Sequence, residues 1–388
     1  MTSPSEAGGD PVTVNFRGQP MTFRFVGYLT PAGNRPLTGS ELERAHRLAD
    51  RVGALRLPST TGLAKGANNW AGDLAADWHP FFDETARRFE HLRLYCQPFT
   101  GFDPIDNVLR GQAPRSVPAD VDARLSTHVN ISIAMMELLS GQRRLPERVR
   151  VRLPMVFGES GPVCDGIVAS YDAWSLQKQI NGLYLAGVIG RLDDLASRQG
   201  RVTVVDIGSG FGGLAYQLAQ SLPSGKLRLV AVDLPDSLLF AAVYLSTLWA
   251  DRPTYLATPE GYVSTATWST AERCPEDFAA IFAPNYLAER VLNDLAPVDL
   301  VTNFRSMQEM SDEQVADYGR LARAALGDGG VLYEQNEMSR ELDRDVKAIL
   351  GRIMPVGGVV PETDPAHRPM GTVSLWSNRP IDLVPPAG

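Results

Sequence analysis

The sequence predicts an α/β fold, a mostly parallel doubly wound sheet in the second half of the chain behind a mainly helical N-terminal portion. Three observations predict it. VTVVDIGSGFGG at 202–213 runs β-branched residues into Asp206, then glycines at 208, 210, 212 and 213, and LAYQLAQSL follows with helical spacing. That is strand, tight turn, helix. A second apolar strand, LRLVAVDLPD at 227–236, ends at Asp233, about 20 residues past the glycines, where an acidic side chain takes the hydroxyls of a ribose. Apolar runs then alternate with helical patterns to the C-terminus, the signature of parallel strands joined by crossover helices.

Taken in order, TVNFR at 13–17 and MTFRFVGYL at 21–29 alternate and flank a Gly-Gln-Pro break, which predicts a β-hairpin. Thr38 and Glu41 form a capping box for a helix through Arg51, with Leu42, Ala45, Leu48, Ala49 and Val52 on its apolar side. Residues 57–78 read as a loop, and helical spacing resumes over 80–95 with Phe81, Phe82, Phe89 and Leu92 inward. The Pro and Gly-rich stretch 99–118 is long for a loop in a compact domain and is expected to cover the active site. Residues 120–139 predict a buried helix carrying His128, and RVRVRLPMVFGESGP at 148–162 alternates like a short strand that ends in a glycine turn.

One long helical pattern spans 172–198 and leads directly into the first strand of the sheet. After Asp233 the order is helix LLFAAVYLSTLWA, an exposed Thr and Ser-rich stretch at 262–274, a third strand FAAIFAP at 278–284 and a fourth, VDLVTNF, at 298–304. A helix capped by Ser311, a turn at Gly329-Gly330, a fifth strand VLYEQNE and an antiparallel closing strand TVSLWSN complete the chain.

A length of 388 residues implies two portions, taken as 1–170, for the acceptor pocket and a homodimer contact, and 171–388, for the nucleoside-binding domain. Hydrophobic and charged contents of 44% and 21% are those of a globular protein, and a net charge of −8 with no basic stripe disfavours a nucleic-acid partner. A small-molecule acceptor is expected instead. Three widely spaced cysteines fit a reducing cytoplasm and no zinc site. With no signal peptide and no run of about 18 apolar residues, neither export nor a membrane span is expected. Asp193-Asp194 falls in a helix, no acidic ligand spacing stands out, and no metal is expected.

Gly208, Gly210 and Gly213 also satisfy the pattern of dinucleotide enzymes. Asp206 argues against a dinucleotide, because a carboxylate at the turn repels a diphosphate and welcomes a ligand with an ammonium and a sulfonium. S-adenosylmethionine (SAM) is therefore the expected cofactor, with a dehydrogenase as the alternative. Tyr171 and Gln177, just before the first strand, are candidate cofactor contacts or packing residues.

NFRSMQEMSDEQVADY at 303–318, with YEQNE at 333–337, resembles a family of sugar O-methyltransferases from bacterial natural-product pathways, and the resemblance runs from GESGPVCDG at 158–166 to the C-terminus. It implies the Rossmann-like seven-stranded fold of class I methyltransferases, SAM as donor and a hydroxyl, often of a deoxysugar, as acceptor. It makes Gly208, Gly210 and Gly212 the close-approach positions, Asp206 the orienter of the amino group, Asp233 the ribose acceptor and Leu234 the adenine contact. Asn303 and Phe304 would face the sulfonium, although Asn303 could equally hold the strand-end turn. Where plant-type small-molecule O-methyltransferases read His-Asp-Trp-Ser-Asp, this chain reads Gln308-Glu309-Met310-Ser311-Asp312, so the position of the base holds Gln308. Glu309 is then the first candidate base, ahead of His128 and His367, or else it complements a helix dipole. Asn336 and Glu337 are expected to hold acceptor hydroxyls. Readings kept beside this one are transfer to a phenol or enol, and a protein that binds SAM without transferring methyl.

Overall fold

The computed structural model describes residues 11–16, 19–29, 33–56, 87–93, 96, 142, 145–159, 161–168, 170–336, 345–360 and 372–383. Contacts divide the chain into two compact units, Met1–Thr38 with Arg88–Gln177, and Gly39–Arg87 with Lys178–Gly388. This differs from a single boundary near 170, and the reason is helix α1, Gly39–Ala54. Leu48, Ala49 and Val52 on its apolar face are fully buried, and α1 packs on a helix of the sheet unit, α5 below.

In the first unit β1 (Pro11–Phe16) and β2 (Gln19–Leu29) pair antiparallel from Pro11↔Arg24 to Phe16↔Gln19, as the alternation predicts. β3 (Gly161–Cys164) and β4 (Ile167–Val168) complete a four-stranded sheet in the order β1-β2-β3-β4. Of residues 148–162, read as a short strand, 148–159 form none and only 161–162 join one, β3: Val151 donates its N–H to Gln177 Oε1 at 2.8 Å and pairs with no neighbouring strand. Phe157 (φ 64°) and Gly158 (φ 82°) make the turn in left-handed backbone. A buried Arg93 holds Glu159 at 2.8 Å and Asp172 at 2.5 Å. The loop expected at 99–118 and the helix expected at 120–139 lie outside the described residues.

Helix α2 (Tyr171–Leu185) and helix α3 (Val188–Gln199) replace the single helix read over 172–198. The break falls at Gly187, whose φ of 76° no helix accommodates. The second unit then lays down β5 (Val202–Ile207), α4 (Gly213–Ser221), β6 (Leu227–Asp233) and α5 (Pro235–Leu248). Next come β7 (Thr254–Thr258), β8 (Gly261–Ser264), β9 (Thr270–Ala271), β10 (Ala280–Pro284), α6 (Ala288–Leu295) and β11 (Val298–Phe304). The last elements are α7 (Asp312–Ala325), β12 (Leu326–Asn336), α8 (Val346–Gly351), β13 (Val356–Val359) and β14 (Thr372–Ser377).

These strands form one ten-stranded sheet in the order β13-β14-β12-β11-β5-β6-β10-β7-β8-β9. β12, β11, β5, β6, β10 and β7 are mutually parallel, while β14 runs antiparallel to β12. The five strands and the antiparallel closing strand read from the sequence are all present. The hairpin β7–β8–β9 extends the sheet; over 262–274, where exposure was expected, residues 266, 267, 269, 270, 272 and 273 are exposed while Tyr262, Val263 and Thr265 are buried, and Thr254 and Thr265 share a hydrogen bond of 2.5 Å. All six residues of β5 are buried, and α5 is buried on nearly every side, as an all-round apolar helix must be. On one face Val205, Val301, Leu332 and Trp376 pack with Val315 and Tyr318 of α7 and with Ile349 and Leu350 of α8.

Candidate functional site

The carboxyl ends of β6, β5, β11 and β12 lie side by side and carry the sequence-predicted residues. β5 ends in a turn whose Gly208, Gly210 and Gly212 all adopt positive φ, at 74°, 55° and 82°. A β-carbon at 208 would stand 2.2 Å from Ser306 Oγ, and one at 212 would stand 2.8 Å from Leu245 of α5. Glycine is required at both for backbone and for space. Between them Ser209 is buried, and its hydroxyl lacks a hydrogen-bond partner.

Asp206 is 4% exposed and accepts a hydrogen bond from Thr302 Oγ1 at 2.7 Å, its register partner on β11. Burial pushes its carboxyl up to about 6 against the pull of the threonine hydroxyl. Asp233 ends β6; its Oδ2 accepts from Gly210 N and its Oδ1 from Leu234 N, both at 2.8 Å. The carboxylate thereby ties the glycine turn to the start of α5, where Leu234 is the N-terminal cap and is half-buried. Burial first, then the negative charges of Asp206 and Glu309, raise Asp233 to about 7, although both backbone N–H groups favour its charged form. Glu309, half-buried on the 3-10 turn Met307–Glu309, therefore shares the electrostatic environment of the two aspartates. Neither aspartate has a cationic partner among the described residues.

Asn303 is wholly buried, and its amide is fully occupied. Nδ2 donates to Ile207 O at 2.9 Å and Ser306 Oγ at 2.5 Å, while Oδ1 accepts from Met307 N at 3.1 Å and Asn336 Nδ2 at 3.0 Å. Of its two readings, turn and ligand, this geometry is that of the turn. Phe304, half-buried on the side of the strand shared with Thr302, lies against Tyr333 with ring centroids 5.3 Å apart. Asn336 was expected to hold an acceptor. Its Nδ2 instead donates to Asn303 and, at 2.8 Å, to Glu334 Oε2, and its Oδ1 accepts from Gln308 N at 3.3 Å. Gln308 is half-buried on the same turn as Glu309.

Gln177 belongs to the first unit, where its amide takes Val149 O at 2.9 Å, Val151 N at 2.8 Å and Gln142 Nε2 at 3.2 Å; this is the packing reading of that residue. Tyr171 opens α2, with its side chain outside what is described, and His128, Glu337 and His367 lie outside the described residues altogether. No group of three or more His, Cys, Asp or Glu among the described residues is placed to hold a metal ion, and no described helix is long and apolar enough to cross a membrane.

Four residues escaped the sequence reading. Thr302 and Ser306 bond Asp206 and Asn303. Glu334 is fully buried, Oε1 lacks a partner, and burial raises its carboxyl. Arg305 directly follows β11 in left-handed backbone, φ 63°. An arginine between Phe304 and the Ser-Met-Gln-Glu stretch was a visible signal; the others depend on register.

No family model matches the chain, and no curated protein does. Among solved structures, the chain is similar to precorrin-6y C5,15-methyltransferase from Geobacter metallireducens, with 15% identity over 51% of this chain and 88% of that one and a TM-score of 0.30. Mitomycin 7-O-methyltransferase gives 15% identity over 54% of each chain and a TM-score of 0.31. Human N-acetylserotonin methyltransferase in complex with SAM gives 13% over 52% of this chain and 55% of that one, with a TM-score of 0.29.

Proposed function

We propose that this chain is a SAM-dependent O-methyltransferase acting on a hydroxyl of a small-molecule natural product, with a deoxysugar as the first acceptor to try. One observation carries the reading. Asp206, buried, and Asp233, half-buried, stand beside a glycine turn without cationic partners among the described residues, and both are raised above the ordinary carboxylate range. Desolvation at Asp206 makes its charged form costly. A cationic ligand relieves that cost, and a diphosphate adds to it. SAM brings a cationic ammonium and a sulfonium, and supplies the methyl group.

The residues present fit such a group. Asp233 accepts the ribose hydroxyls with the lone pairs left by its two N–H partners, and Asp206 faces the ammonium. The three left-handed glycines bring backbone close to the ligand, and Ser209 offers a free hydroxyl. Alignment supplies much of the rate in a displacement at carbon. The acceptor hydroxyl still has to lose its proton, and Glu309, next to Gln308 on the same turn, is the first candidate to take it, since Gln308 has no basic site. Glu309→Gln is expected to lower kcat by about a hundredfold or more with S-adenosylhomocysteine affinity kept within a few fold. Equal loss of both would assign Glu309 to binding.

The test is release of S-adenosylhomocysteine on incubation with SAM and a panel of deoxysugar, polyketide and phenolic acceptors. Thermal stabilisation by NAD(P) but not by S-adenosylhomocysteine would overturn the reading in favour of a dehydrogenase. Gln308 at the position of the base favours one further reading, a protein that binds SAM without transferring methyl; tight binding with no turnover on any acceptor is its signature.

A further inference from the structure

We propose that the acceptor carries an anionic group, a carboxylate or a phosphate, and that Arg305 binds it; this rests on the function proposed above. Arg305 directly follows β11, next to Phe304, in a backbone conformation with φ of 63° that a β-carbon disfavours. The surroundings fix it there. Its own N–H donates to Gln335 O at 3.0 Å, Asn303 two residues earlier is bonded on all four of its hydrogen-bonding positions, and Ser306 beside it bonds Asn303 and abuts Gly208. Strain held in place at a strand end points to a side chain that has to stand where it does.

The guanidinium itself is unmatched. Arg305 is half-buried, Nε is buried without a hydrogen-bond partner, and none of the ion pairs of the described residues includes it. Asp206, Asp233, Glu309 and Glu334 all stand on the neighbouring strand ends and turn, yet none pairs with it. A desolvated cationic donor is costly to leave unmade, and a guanidinium is a fork suited to two oxygens of a carboxylate or phosphate.

Position indicates whose oxygens these are. The ribose carboxylate Asp233 is on β6, the glycine turn follows β5, and Arg305 sits where β11 meets β12, in the order β12-β11-β5-β6. With strands about 4.8 Å apart, Arg305 lies across the glycine turn from Asp233, on the side away from the strand that the proposed function gives to the ribose. The other source of such oxygens is the donor's own carboxylate, and the experiment separates the two.

Wild type, Arg305→Gln and Arg305→Gly are saturated with S-adenosylhomocysteine and titrated with inorganic phosphate and with acetate at constant ionic strength, following thermal stability and heat of binding. Glycine is at home at positive φ, so Arg305→Gly removes the guanidinium without backbone strain and keeps the fold. The expected result is saturable stabilisation of wild type by at least one anion and at least tenfold weaker anion binding in both variants, with S-adenosylhomocysteine affinity unchanged within twofold. Anion binding equal in all three proteins, or absent from wild type, overturns the proposal. So does a tenfold loss of S-adenosylhomocysteine affinity with the anion response intact, which would give the guanidinium to the donor's carboxylate. Absence of S-adenosylhomocysteine binding in wild type would instead overturn the donor reading, and Arg305-dependent phosphate binding measured on the unliganded protein would still stand.

Discussion

Asparagine at 233 would turn an amide nitrogen toward one of the two backbone N–H groups that Asp233 accepts, from Gly210 and Leu234. Asp233→Asn therefore loses a charge and opposes two donors, and S-adenosylhomocysteine affinity is expected to fall by about tenfold or more, read by calorimetry. The glycine turn gives a second prediction with an internal control. Gly200 and Gly208 share positive φ, 82° and 74°, but a β-carbon at 200 meets nothing within 4 Å and one at 208 meets Ser306. Gly200→Ala should cost about 1 kcal/mol from the backbone alone, and Gly208→Ala clearly more, with ligand binding lost as well; equal costs in denaturant melts would contradict the space argument. At this scale the placing of Asp206, Asp233 and the glycines together at the strand ends was legible, because it follows from local spacing. Asn303 and Asn336 were not: Asn303 bonds a partner 96 positions away and Asn336 one 33 positions away, and no sequence window shows that an amide is already satisfied.

Helix α7 shows an element whose start is written locally. Ser311 Oγ accepts from Gln314 N at 3.2 Å while Gln314 Oε1 accepts from Ser311 N at 2.9 Å, a reciprocal box predictable in part from Ser311 at the head of the pattern. Ser311→Ala should cost about 1 kcal/mol of stability, a shift of a few degrees in Tm. It should leave S-adenosylhomocysteine binding unaltered. Elements failed to be legible where polarity misled. The Thr and Ser-rich residues after Gly261 are largely exposed, as read, but their two short strands were not foreseen; there Tyr262 lies inward and its hydroxyl reaches Asp294 at 2.5 Å. Residues 148–152 alternate without forming a strand, and there the Gln177 side chain bonds Val149 O and Val151 N, backbone groups a strand partner would have taken. The break between α2 and α3 rests on one glycine in left-handed backbone, which a long apolar period conceals.

Across the whole molecule, the two raised carboxyls tie stability and binding to pH in opposite directions. Asp206 and Asp233 stand at about 6 and about 7 against an ordinary 3.8, so the folded, unliganded protein holds protons that the unfolded chain has already released. Their contribution to stability is full below about pH 4 and is lost as pH rises through 6 and 7. A cationic ligand needs them ionised, so SAM affinity should rise from pH 5.5 to 8 while the Tm of the unliganded protein falls for this reason. Calorimetry and melting curves over that range decide it, and affinity that weakens with rising pH would contradict the cationic-ligand reading. The sheet was legible as a whole because its strands are continuous apolar runs. The division into units was not, because α1 finds its partner far along the chain.

That distance bears on how the protein is made. Leu48 and Val52 of α1 have no exposure once they rest on α5, and Tyr286 holds Leu55 O at 2.9 Å. On the ribosome α1 emerges early and must wait, apolar side bare, until α5 has been translated, an interval in which aggregation competes with docking and a chaperone has a stripe to hold.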